Sequence, residues 1–218
     1  MKGLIYTNFS LIRRVILVYM LLGVGVAVLM LNILGSEALS LSIVMVCLVI
    51  ITPVWEAIKV EALSGYNKYA LTLPVTRRTV IQSYYVFFFL IVMIGVILFV
   101  GILYVHELFS MISIDSSLYR SITLAILAML TMGGIIFPLI FMLGEEKSDF
   151  ILFLSLGFMA LVVNLVRVGV EHLIEQSPLL KFNLDLLIHV PFIYILISIL
   201  IFLLSYVTSL AIYHKKEF

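Results

Sequence analysis

Long apolar runs alternate with short polar breaks along the whole chain. Six runs of about twenty residues fall at residues 15–34, 39–55, 84–105, 121–143, 150–170 and 189–213. At a helical rise of 1.5 Å per residue, a run of this length crosses the roughly 30 Å hydrocarbon core of a bilayer. The pattern therefore predicts an all-α, polytopic membrane protein: six transmembrane helices in one domain over residues 1–218. The longest break, residues 64–79, is where such a protein meets soluble partners.

Three flanking stretches carry further pattern. Over residues 3–14, Leu4, Ile5, Phe9, Leu11 and Ile12 share one arc of a helical wheel, with Lys2, Tyr6, Ser10, Arg13 and Arg14 opposite. This predicts an amphipathic interfacial helix over residues 1–14, the alternative being a basic flank that only orients the first span. The second run continues past Trp55 in good helix formers up to Ser64-Gly65, a natural helix stop. It predicts a cytosolic stalk that, with the following connection, covers residues 56–83. Trp55 itself marks the interface level, where an indole keeps its N–H wet. Residues 171–188, apolar on one side and broken at Pro178, form a predicted extracellular segment.

Composition agrees with the pattern. Of 218 residues, 64% are hydrophobic and 11% charged, whereas soluble domains are about half apolar and a quarter charged. Around Val26-Ala27-Val28 the first run offers a single small residue, so no signal-peptide cleavage is expected. Of thirteen Lys and Arg, ten lie in one alternate set of breaks and three, Arg120, Arg167 and Lys181, in the other. The positive-inside rule then puts both termini, residues 64–79 and residues 144–149 in the cytoplasm. A net charge of +1 gives no pointer to nucleic acid, and none is expected as a partner.

Most chemistry is excluded by spacing. Cys47 stands alone, so no intrachain disulfide or thiolate cluster forms. His106-Glu107 lacks a second His at position 110, which is Ser, and no metal site is expected. Glu145-Glu146 invites comparison with intramembrane proteases carrying Glu-Glu-x-x-x-Arg. Phe150 stands in place of that Arg, and such chemistry needs buried carboxylates. An intramembrane protease remains the weaker alternative, beside a non-transporting scaffold or immunity protein. With no G-x-x-x-x-G-K-[ST] loop, the chain does not cradle ATP phosphates itself.

Two intramembrane features stand out. Asn164, Arg167 and Glu171 are spaced three and four apart, on one helix face. Either Arg167 snorkels outward and pairs with Glu171, or the group serves as an outer gate or a contact along a translocation path. Gly133-Gly134 precedes Pro138, whose ring conflicts with the Gly134 carbonyl and predicts a kink. The kink permits either flexing or close helix approach.

In the long break, Thr76 is a plausible N-cap, and Arg77-Arg78 occupy a first helical turn, where the macrodipole disfavours cations. Topology or an acidic or phosphate-bearing partner accounts for them better. Tyr69, Leu71, Leu73 and Val75 surround Pro74 and stay exposed unless a partner or the bilayer covers them. The stalk followed by Tyr-Ala-Leu-Thr-Leu-Pro-Val-Thr-Arg-Arg, residues 69–78, resembles the small permease subunits of type-2 ATP-binding-cassette exporters, including the bacterial peptide-toxin and antimicrobial-peptide export group. The resemblance implies that this connection docks on a cytosolic nucleotide-binding ATPase subunit, with Glu61, Tyr69, Leu71, Leu73, Pro74 and Arg77 as coupling residues. It further implies a second permease subunit, identical or different, and ATP and Mg bound only by the ATPase partner. A multi-pass location in the bacterial cytoplasmic membrane, contact with its lipids, and a re-entrant outer segment over residues 171–188 also follow from it. The expected cargo is amphipathic or hydrophobic: a peptide toxin or antimicrobial peptide, then a drug or lipid.

Overall fold

The structure, a computed structural model, describes residues 2–34, 39–64, 76–110, 116–144, 147–176 and 186–215. Among them the chain forms six α-helices and no strand: α1 (Lys2–Leu34), α2 (Leu39–Ser64), α3 (Arg77–Ser110), α4 (Ser116–Leu143), α5 (Ser148–Gln176) and α6 (Leu186–Lys215). Four contain stretches long and apolar enough to cross a membrane: Arg78–Val105, Tyr119–Leu143, Ser148–His172 and Val190–Tyr213. The corresponding stretch of α1, Val15–Met30, is shorter. The chain is a multi-pass, all-helical membrane protein.

Several expected boundaries shift. Residues 2–14 do not form an element of their own, because α1 runs unbroken from Lys2 to Leu34. After Gly3, good helix formers with no Gly or Pro until Gly23 leave nothing to interrupt it. α2 continues past Trp55 to Ser64, the last described residue before residues 65–75, which lie outside the described residues. Glu171 to Gln176 continue α5, and the rest of the expected outer segment up to residue 185 lies outside the described residues.

α3 opens on a cap. Thr76 is non-helical, its carbonyl accepts from Val80 N–H at 3.3 Å, and its Oγ1 accepts from Thr79 N–H at 3.3 Å. These bonds occupy donors that a helix start otherwise leaves unpaired.

α4 sits at the centre, packed against α2, α3, α5 and α6; α1 lies outside on α2 and α3. Within lipid, burying apolar surface gives little drive, and close packing of small residues replaces it. α6 shows how: Tyr194, Ser198, Ser205 and Ser209 recur at helical spacing and are buried in an otherwise apolar helix. Gly133 and Gly134 of α4 allow the same closeness. A Cβ on Gly133 would stand 2.3 Å from the Phe88 ring of α3, and one on Gly134 would stand 3.5 Å from Ser205 Cβ of α6. Of the two readings of this pair, close approach is what the packing displays. Pro138 lies within α4, half-buried, and the helix continues past it to Leu143.

Helices consecutive in the chain alternate in direction, so α4 and α6, which pack on each other, run parallel, and side-chain contacts at the ends show it. At one end Lys59 of α2 meets Asp149 of α5, and Phe141 of α4 packs on Tyr213 of α6, ring centroids 5.3 Å apart. At the other, Arg120 of α4 meets Glu171 of α5. The Lys59 end also carries Arg78, Lys147 and Lys215, and corresponds to the expected cytoplasmic side.

Candidate functional site around α5

α5 is the least covered of the four long apolar spans, with α6 close to it at 22%. Only 17% of its apolar window is buried, against 67% for α4. Phe150, Phe153, Leu161, Leu165 and Val168 face outward. Apolar exposure is what lipid requires, but two residues on that face do not fit the explanation. Asn164 is exposed within the span and has no polar partner among the described residues, and Gly157 has open space where a Cβ would be. A polar amide at membrane depth is costly against lipid and favourable against another helix or a wet path.

The helix is anchored by charge at both ends. At the stalk end, Lys59 Nζ lies 2.5 Å from Asp149 Oδ1. Asp149 stands in the first turn of α5, where the helix dipole favours a carboxylate. The hydrogen bond from Lys59 to Asp149 raises the Lys59 pKa above its usual 10.5, outweighing the opposing effect of burial. At the far end Glu171 accepts from Arg120 of α4, and its Oε1 lies 3.5 Å from Arg167 Nε one turn back on its own helix. The expected Arg167–Glu171 pairing is therefore present, joined by Arg120. Asn164 shares their helix but not their cluster.

Between α5 and α2 lies a cavity of about 250 Å³, with Leu48, Ile51 and Trp55 on one side, Leu152 and Leu156 on another, and Phe88, Met132 and Phe137 behind. Trp55 departs from expectation here. Its side chain is 5% exposed, and its Nε1–H is buried with no hydrogen-bond partner among the described residues. α2 runs on as a stalk past this position and α3, α4 and α5 wall it in, so the indole faces protein instead of interfacial water. An unpaired buried donor of this kind costs about 1–3 kcal/mol.

Continuous with the cavity through Phe88 and Phe137, an aromatic cluster joins α3, α4 and α6. Tyr85 stacks near Phe137, Phe202 and Tyr206, with centroid separations of 4.7, 5.0 and 5.3 Å. Its hydroxyl shares hydrogen bonds with Ser205 Oγ at 2.6 Å and Ser209 Oγ at 2.8 Å. This hydroxyl trio satisfies three polar groups inside the bundle and holds α6 against α3.

The expected coupling residues are placed only in part. Glu61 is in the last turn of α2 and Arg77 opens α3, while Tyr69, Leu71, Leu73 and Pro74 lie outside the described residues, as do Glu145 and Glu146. The sequence reasoning missed the Lys59–Asp149 contact, the part played by Arg120, and the Tyr85–Ser205–Ser209 trio. The Ser205/Ser209 spacing of four, on an apolar helix, was the available signal for the last. The two ion pairs join residues far apart in sequence and left no local trace.

No curated protein and no solved structure matches the chain. Residues 3–214 match the sequence model of the ABC-2 family transporter proteins. That match spans all six helices, the stalk and both ion pairs, and a transmembrane subunit of that kind is not itself catalytic. The chain belongs to the ABC-2 transporter family, as a membrane-embedded permease subunit.

Proposed function

We propose that this permease subunit forms half of an ATP-driven exporter for an amphipathic or hydrophobic cargo. The cargo is a peptide toxin or antimicrobial peptide, a drug or a lipid. The second half is another permease chain, identical or different, in the bacterial cytoplasmic membrane, and ATP with Mg is handled by separate cytosolic ATPase subunits. The observation that carries this reading is α5: packed on α4 along one side, uncovered on the other, polar there at Asn164, and tied at its stalk end to α2. Its outward face meets the other half and the cargo path.

The drive follows from the connections. ATPase closure moves the segment around Leu73, Pro74 and Arg77, together with the stalk ending at Ser64. Lys59 then carries that displacement to Asp149 and the start of α5, which leans on α4 through side-chain packing and can shift between two arrangements. Glu171, held by Arg120, closes the far end in one of them.

Co-purification tests the proposal. Membranes solubilised in mild detergent should yield a nucleotide-binding subunit with this chain, and replacing Leu73, Pro74 and Arg77 together should abolish cargo-stimulated ATP hydrolysis. A chain that brings down no such subunit, with export unchanged by the triple replacement, sinks the proposal. Loss of function in Glu145→Gln with the ATPase still bound would instead favour proteolysis.

A further inference from the structure

Two of the three cations in the breaks at the Glu171 end, Arg120 and Arg167, converge on one carboxylate. Both reach the same oxygen, Glu171 Oε1, Arg167 through its Nε at 3.5 Å. The cluster thus carries two positive charges and one negative, and among the described residues neither arginine has a second carboxylate. It is not sealed inside the bundle: the Arg120, Arg167 and Glu171 side chains are 43%, 56% and 40% exposed. An excess guanidinium on a membrane-spanning helix is costly until an anion or water meets it.

Position narrows the ligand. Arg120 and Glu171 each stand one residue inside the end of an apolar stretch, Tyr119–Leu143 and Ser148–His172, and Arg167 starts a turn deeper. Val163 and Ala160, the next residues inward on the same side of α5, are half-buried and exposed, and neither is polar. A ligand here meets charge at the edge of the apolar layer and hydrocarbon below it.

We propose that Arg120 and Arg167 hold the phosphate of an anionic glycerophospholipid from the leaflet at the Glu171 end, its acyl chains running inward past Val163 and Ala160. Guanidinium forks match phosphate oxygens, and the single charge of a phosphodiester neutralises the cluster's excess of one. Glu171 keeps the two guanidiniums side by side and cancels only one of them. A second copy of the chain would bring the same excess of positive charge to a symmetric contact. A soluble anion would have to leave water for the edge of the apolar layer, where a lipid phosphate already resides. The bound headgroup ties the far end of α4 to that of α5, as Lys59–Asp149 ties α5 to α2 at the other end. The inference needs the membrane setting of the chain but not the exporter reading.

Thermal unfolding tests it. The purified full chain in a neutral maltoside detergent would be supplemented with phosphatidylglycerol, or with the same amount of phosphatidylcholine carrying the same acyl chains. A ligand that binds only the folded chain raises its stability, and phosphatidylglycerol should raise the melting temperature by about 2–4 °C more than phosphatidylcholine does. Arg167→Gln, with helical content by circular dichroism confirming the fold, should remove that difference. Arg78→Gln, which deletes an exposed cation at the opposite end, should keep it. Arg120→Gln serves if the Arg167 variant does not fold. Equal melting temperatures in the two lipids overturn the proposal. A difference that survives in the folded arginine variant overturns it as well, since any anionic surface would then suffice. The same rise from inorganic phosphate alone would hand the cluster to a free anion, and a rise from dodecanoate without one from phosphatidylglycerol would hand it to an acidic cargo; either result also overturns it.

Discussion

α4 and α5 are adjacent helices of similar length and similar apolar content, yet they do opposite things. α4 is gripped on four sides, and its glycines are filled by neighbours: Phe88 lies over Gly133, and Ser205 lies beside Gly134. α5 touches α4 along one side, leaves Gly157 and Asn164 open, and is otherwise fixed by Lys59–Asp149 and Arg120–Glu171. A helix that must stay still is held by shape over its whole length. One that must move is held at its ends by contacts that can break and re-form. On the proposed reading, the difference makes α4 the post of the bundle and α5 its moving member.

Substitutions at the two helices should separate these roles. The largest loss of stability is expected for Gly133→Val, whose Cβ would collide with a ring that is only 2% exposed. Overpacking of this kind costs about 1–3 kcal/mol, read as a lowered melting temperature in detergent. Tyr85→Phe removes the centre of the hydroxyl trio and should cost about 0.5–1.5 kcal/mol, checked the same way. If either change is harmless, α4 and its aromatic neighbours are not the fixed frame.

The α5 variants should invert the pattern: small effects on the fold and large ones on function. Lys59→Ala should lower stability by under about 1 kcal/mol, because the pair is partly exposed, while ATP hydrolysis becomes uncoupled from transport. A double exchange, Lys59→Asp with Asp149→Lys, should restore coupling. The pH dependence has a definite sign. Because the folded-state pKa of Lys59 is raised, its contribution is fully present below 10.5 and is lost as pH climbs through the raised value. Coupling should therefore be flat through neutral pH and fall only on the alkaline side; a fall near neutrality would contradict the assignment. Smallest of all in stability terms is Gly157→Ala, where open space allows a gain of up to about 1 kcal/mol from helix propensity. A clear loss of stability in the isolated chain would show that this face is already packed.

Much of this architecture was legible from residue order. Hydrophobic run length located the six helices, four of which are long and apolar enough to cross a membrane, and Thr76 marked the start of α3. The segment over residues 1–14 was read as separate because its polar arc differs from the run that follows, but amphipathicity does not break a helix, and α1 continues through it. Trp55 was read as an interfacial marker from its position in α2, and the walls that bury it come from three other helices. The same limit hid Lys59–Asp149 and Arg120–Glu171. In α6, apolar all round, the buried side was readable only from the small polar stripe of Ser198, Ser205 and Ser209.

The central claim is that the open face of α5 meets a second permease chain. It is tested most directly by a single cysteine at position 164. In a Cys47→Ser background, Asn164→Cys would be treated in native membranes with a short bis-maleimide, beside Leu127→Cys on the buried side of α4 as control. The account predicts an adduct of this chain with a second permease-sized chain from position 164 and none from position 127. Absence of any adduct at 164, with the cysteine shown to react with a single maleimide, would place that face against lipid and contradict the account.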